Sequence, residues 1–187
     1  MERMEWIGEQ EMKRLPQSLV EGAVAGVIAT VPMSAAMFAM YRLLPRHERY
    51  PLPPHLITEE VAERADQDEL ADSETGTAVV TGISHFGYGA AAGALYPLTF
   101  GRLPLPAALK GVIFGVAVWA GSYLGWLPAL DILPPATEQP PRRTLLMIVA
   151  HFIYGAVTGL AFETLRGERT ETAEPSLTGS WRSQPHE

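Results

Sequence analysis

The chain contains no cysteine, so it holds no disulfide, no thiolate nucleophile and no cysteine-ligated metal. Basic residues are scarce: 14 Lys and Arg against 21 Asp and Glu leave a net charge of −7. No Lys/Arg cluster is large enough to neutralise several phosphates, which excludes nucleic acid as a partner. The sequence also lacks a phosphate-cradling Gly-rich loop ending in Lys-Ser/Thr, a His-Glu-x-x-His and a Gly-x-Ser-x-Gly. Nothing in it points to an enzyme. The N-terminus, Met1-Glu2-Arg3-Met4-Glu5, is acidic rather than basic and the first apolar run is full length, so a cleaved signal peptide is not expected.

The most informative absence is that of charge itself. All 35 formally charged residues avoid four stretches, 22–41, 75–101, 111–130 and 144–162. Each is 19 to 27 residues long. At 1.5 Å rise per residue, about 20 apolar residues span the roughly 30 Å hydrocarbon core of a bilayer. The lipid bilayer is therefore the expected partner, and an ordinary soluble domain is excluded.

The predicted organisation is a polar segment over 1–18, membrane helices over about 19–44, 77–99, 107–127 and 144–165, and a disordered tail over 166–187. Pro32 falls inside the first helix and frees one carbonyl, for which Thr30 or a neighbouring helix would supply a substitute partner. The 45–75 connection opens with a Pro-rich run and continues, from His55 to Ala71, as an amphipathic helix with Ile57, Val61 and Ala65 on one side. Eight acids crowd Glu59–Glu74, which reads as a solvated surface helix or as a cation-attracting vestibule. Four spans would put eight basic residues on the side of the termini and six opposite, which places both termini in the cytoplasm.

Two segments repeat. Residues 84–96 (Ser-His-Phe-Gly-Tyr-Gly-Ala-Ala-Ala-Gly-Ala-Leu-Tyr) and 150–162 (Ala-His-Phe-Ile-Tyr-Gly-Ala-Val-Thr-Gly-Leu-Ala-Phe) agree at six of 13 positions, at an offset of 66. The first and third runs agree more loosely at an offset of 89, which pairs Gly22 with Gly111 and Gly26 with Gly115. The expected fold is thus all-α: an integral membrane four-helix bundle made of two helical hairpins. Each hairpin crosses twice, so the repeat is parallel, about an axis along the membrane normal. Gly22/Gly26, Gly89/Gly93, Gly111/Gly115, Gly121/Gly125 and Gly155/Gly159 lie four apart, the spacing that lets helix backbones approach closely in lipid. Such faces pack within one chain or between two, so a homodimer stays open.

His85 and His151 stand one turn before these glycines, roughly 10–12 Å inside their helices. A titratable group at that depth is costly and marks a candidate site, here with Tyr88 and Tyr154 in the same register. Three readings compete. Each imidazole locks the bundle through a hydrogen bond, or the pair lines a polar cavity for protons or a small ligand, or it ligates haem. Two ligands without a carboxylate make a poor zinc site, and no metal is assigned. Glu138, Arg142 and Arg143, with Arg46 to Arg49, form a candidate cap on the same side, the alternative being weak surface ion pairs. Glu21, Asp131 and Glu163 sit at span ends within reach of water.

A Gly/Ala-rich first helix, His85-Phe86-Gly87-Tyr88-Gly89, and Trp126-Leu127-Pro128 followed by Pro134-Pro135-Ala136-Thr137-Glu138 resemble the YagU-like family of small bacterial inner-membrane proteins. The resemblance covers about residues 19–165, by layout more than by strict motif. It implies a multi-pass inner-membrane protein with no assigned reaction, and it brings no functional residues with it.

Overall fold

The computed structural model describes residues 2–64 and 74–173, within which every regular element is helical. Helix α1 is Glu2–Tyr41, α2 is Pro53–Arg64 and α3 is Glu74–Thr99. Helix α4 starts as Ala107–Ala120, widens into a π-helical turn over Gly121–Trp126 and ends at Leu127–Ala129, and α5 is Pro141–Ala173. Among the described residues three helices are long and apolar enough to cross a membrane, at Leu15–Tyr41, Ala107–Ala129 and Pro141–Gly167. By length and composition the chain is a membrane protein. Helix α3 matches them in length, but its glycines, His85, Tyr88 and Tyr96 dilute its hydropathy.

Several boundaries differ from the sequence reading. Helix α1 is continuous from Glu2 through Pro16 and Pro32, so the expected polar segment belongs to it. Each proline removes one N–H from the ladder without ending the helix. Thr30 does not serve the carbonyl freed by Pro32; its hydroxyl donates to Gly26 O at 2.8 Å. Helix α5 continues to Ala173, so the first part of the expected tail is helical. The rest of that tail, Ala65 and the acids of 66–72 lie outside the described residues.

Glycine contacts set the helix pairing. A Cβ on Gly22 or Gly26 would run into the carbonyl oxygens of Gly93 and Gly89 on α3. A Cβ on Gly111 or Gly115 would likewise meet the carbonyl oxygens of Gly155 and His151 on α5. The backbones thus touch without intervening side chains in α1/α3 and again in α4/α5. Gly159 departs from the expected glycine-to-glycine packing. A Cβ there would meet the carbonyl oxygen of Ala107 first, and then Gly111 Cα and the Tyr96 hydroxyl, both at 3.1 Å. The first turn of α4 presents an alanine at this level, and Tyr96 reaches across from α3, so Gly159 makes room for a side chain as well as for a backbone.

Matching the two sets of contacts equates Gly22 with Ala107, Gly26 with Gly111 and Thr30 with Gly115, an offset of 85. The looser sequence alignment, at 89, is one helical turn out of register. Gly121 and Gly125 pack against no other helix; Gly125 instead carries the backbone break (φ −111°, ψ −106°) inside the π turn.

Helices α1 and α5 also pack on each other, so the chain of contacts runs α3–α1–α5–α4. The circle does not close by backbone packing, because α3 and α4 meet through side chains. Tyr88 hydrogen-bonds Ser122 (2.8 Å) and rests against Trp126, while Tyr96 and Phe100 contact Phe114. At the end nearest the α3–α4 connection, Tyr96, Phe114 and Phe162 form an aromatic plug, with the Tyr96 ring centroid 5.2 and 5.4 Å from the other two. Beyond it, Lys110 is buried, donating to Gly101 O and to the Glu163 carboxylate. Glu163 is therefore half of an ion pair joining α4 to α5 rather than an isolated span-end acid.

This packing has a measurable consequence. Gly26→Leu or Gly155→Leu should destabilise the protein by about 3 kcal/mol or more through overpacking. Gly87→Ala, which faces open space, should stay within about 1 kcal/mol of the parent. Thermal unfolding in detergent distinguishes them.

Candidate functional site

The widening of α4 is where the site begins. Pro128 has no N–H to return to Leu124 O, and Gly125 tolerates the resulting backbone break. Such π bulges recur at functional sites. Here the turn brings Ser122, Tyr123, Trp126 and Leu127 to the lining of one cavity. The Tyr123 carbonyl accepts a hydrogen bond from Ala136 N at 3.0 Å, and Thr144 Oγ1 donates to Ala136 O. The Pro134–Glu138 connection is thus fastened to both helices that it joins. Helix α4 then ends on Asp131, whose φ of 53° gives it the left-handed conformation of a helix C-terminus.

The cavity has a volume of about 250 Å³ and is bounded by all five helices. Helix α1 supplies Thr30 and Met33, α3 supplies Ser84, His85, Tyr88 and Gly89, and α5 supplies Met147, His151 and Tyr154. The structure therefore brings His85, His151, Tyr88 and Tyr154 to one place. Their surroundings differ. His151 is 5% exposed and stands edge-on to Tyr123, whereas Tyr88 is 42% exposed at the α3/α4 seam.

Helix α2 supplies Pro54, Ile57 and Thr58 to the same cavity, which sequence reasoning missed. Instead of lying free on the surface, it packs against α3 and roofs the site. Ile57 faces inward as the amphipathic pattern predicts, but Val61 is exposed. Arg64 fixes the far end of α2, donating to Leu130 O (2.6 Å) and Asp131 O (3.0 Å). Arg143 fixes the segment before it. Its guanidinium donates to the carbonyls of Glu48, Tyr50 and Pro51 (2.7–3.0 Å) and lies 3.6 Å from the Tyr50 ring centroid. Of the expected cap trio, Arg143 alone is buried; Glu138 and Arg142 are exposed. The Arg49 side chain caps the end of α1 at Leu44 O and Arg42 O.

The hydrogen bonds define what the cavity offers a guest. A carbonyl only accepts, so the 2.7 Å contact of His151 Nδ1 with Met147 O places the proton on Nδ1. Nε2 of the neutral ring then keeps a lone pair. Thr30, Thr58 and Tyr154 donate their hydroxyl protons to Gly26 O, Pro54 O and Gly89 O. Ser122 donates to Val118 O, so the Tyr88 hydroxyl is the donor in its bond to Ser122. Five of the seven hydroxyl protons in the lining are thus committed to protein acceptors; Ser84 and Tyr123 carry the other two. His85 Nε2 is buried with no hydrogen-bond partner. Among the described residues lining the cavity none is Asp, Glu, Lys or Arg. No three His, Asp or Glu side chains among the described residues gather as a metal site.

A family model described as a protein of unknown function, DUF1440, matches residues 42–160. That span contains α2, α3, α4, both histidines and Arg143. No curated protein and no solved structure matches the chain.

The roof can be tested apart from the cavity. Arg143→Lys cannot reproduce the forked contacts. It should lose about 2 kcal/mol of stability and expose 45–52 to protease. Arg142→Ala should stay within about 0.5 kcal/mol. Limited proteolysis alongside thermal unfolding reads both.

Proposed function

The chain belongs to the DUF1440 family of proteins of unknown function, and from that premise we propose that it is a non-enzymatic, multi-pass membrane protein that binds a small neutral molecule between His85 and His151. The observation that carries this is an uncharged cavity holding both imidazoles, with His85 Nε2 lacking a partner. An ionisable side chain inside a membrane segment defaults to a functional role. An unpaired buried polar atom costs about 1–3 kcal/mol, which a guest's polar group would offset.

The surrounding architecture is part of the proposal. Four crossings follow if α3, free of formal charge over 75–99, spans as its three companions do. Like glycine contacts in α1/α3 and α4/α5 support two hairpins descended from one. The inner-membrane location and the YagU-like kinship rest on the layout of motifs, and cytoplasmic termini on the excess of Lys and Arg on that side.

A second reading, a carrier for protons or a small solute on the same histidines, is favoured by the unpaired His85 nitrogen. The aromatic plug closes the route toward Lys110, so transport would need alternating movements rather than an open pore. Haem fits less well. The cavity is smaller than the roughly 300–1,000 Å³ of common ligand and cofactor sites.

Native mass spectrometry of protein extracted gently from its membrane tests the binding reading. The parent should carry a small molecule that His85→Ala and His151→Ala lose while remaining folded. If both variants mainly lose thermal stability and no adduct is ever seen, the histidines are structural. A pH-dependent proteoliposome flux abolished by His85→Ala would favour the carrier. A Soret band in the purified protein would favour haem.

A further inference from the structure

Resting on the binding reading above, we infer that the ligand is a lipid-soluble hydroxyl compound, a phenol or alcohol on an apolar body. It enters from the bilayer through the seam between α3 and α4.

The lining sets the chemical class. With no Lys or Arg, a carboxylate or phosphate would be buried without a counter-ion; with no Asp or Glu, an ammonium would be too. A neutral guest remains. Five of the seven hydroxyl protons in the lining, all but those of Ser84 and Tyr123, are committed, while His151 Nε2 keeps its lone pair. Neutral His85, Ser84 and Tyr123 each bring a donor together with acceptor capacity, so His151 Nε2 is the acceptor without a donor of its own. A guest hydroxyl meets both demands, donating to His151 Nε2 and accepting from a neighbouring donor. Val118, Leu127, Met33, Met147 and Ile57 contribute apolar lining, so the rest of the guest is hydrocarbon. An apolar cavity of about 150 Å³ accommodates benzene. The 250 Å³ here suits one substituted ring or a short branched chain, with any longer tail left in the seam.

The route follows from which sides are closed. Helix packing seals α1/α3, α1/α5 and α4/α5. The aromatic plug closes one end, and α2, held by Arg64, roofs the other. The α3/α4 seam is bridged at cavity level by Tyr88, through one hydrogen bond to Ser122 and one ring contact to Trp126. Both aromatics are part of the cavity wall and are 42% and 38% exposed. Side-chain rotation opens such a bridge without unpacking a helix.

The test uses the full chain in lipid nanodiscs with two fluorinated probes, a 4-alkylphenol and its methyl ether, followed by 19F NMR. The phenol should bind about tenfold more tightly than the ether, as expected for one hydrogen bond to a buried acceptor. His151→Leu should erase that difference. Exchange of bound phenol should speed up more in Tyr88→Phe, which frees the seam, than in Arg64→Ala, which loosens the roof. The reverse order, or no acceleration in either, overturns the lateral route. Equal binding of phenol and ether by the parent overturns the hydroxyl class while leaving the cavity as a binding site. Absence of saturable binding by either probe in every form defeats the binding reading beneath both.

Discussion

Close approach between glycine backbones is the contact on which the rest of the molecule depends. In lipid, burying apolar side chains yields little association energy, so helices need direct backbone contact or polar bonds to hold together. Gly22 and Gly26 against Gly89 and Gly93, and Gly111 and Gly115 against Gly155 and His151, supply that contact twice. It also places polar groups. Thr30 reaches the α1/α3 interface beside Gly89, and the Gly89 carbonyl is near enough to α5 to accept the Tyr154 hydroxyl at 2.7 Å.

The seam between α3 and α4 is the complement of this arrangement. Where glycines meet, no room remains for a guest; where Tyr88, Ser122 and Trp126 meet instead, the helices stand apart and a cavity opens. The π turn enlarges it by giving up regular α-helical bonding before Pro128, with Ala136 N–H taking the Tyr123 carbonyl. Arg64 and Arg143 then secure the roof through backbone carbonyls rather than carboxylates. These contacts hold regardless of which side chains occupy the proline-rich connection.

Much of this was legible because lipid makes sequence patterns coarse. Charge-free runs mark helices whatever their detailed packing, and four-residue glycine spacing marks the faces that touch at every such pair but Gly121/Gly125. His85 and His151 share a register with those faces, and both line the one cavity. What escaped depended on tertiary context. The α1/α4 correspondence slipped by one turn because Thr30, not a glycine, occupies the position equivalent to Gly115, and Ala107 faces Gly159 where a glycine was expected. Gly125 has the spacing of a packing glycine, and its place in a π turn before Pro128 shows only when a neighbouring chain segment takes the freed carbonyl. The acids of 59–74 drew attention to the polar side of the connecting helix, although its inner side, through Pro54, Ile57 and Thr58, forms the roof. Lys110 and Glu163 lie far apart in sequence, and only the α4/α5 packing joins them.

The matched pair of motifs also shows how similar helices acquire different tasks. At the repeat positions, Tyr154 is 2% exposed and ties α5 to α3, whereas Tyr88 is 42% exposed and bridges the seam. His151 has its Nδ1 proton committed to Met147 O, and His85 keeps a buried nitrogen unpaired. Of the two matched histidines, the one with an unpaired nitrogen stands on the helix beside the open seam, and its counterpart is fixed in the packed half. That division is what a recognition site requires: one rigid wall to orient a guest, and one wall with bonding capacity still to give.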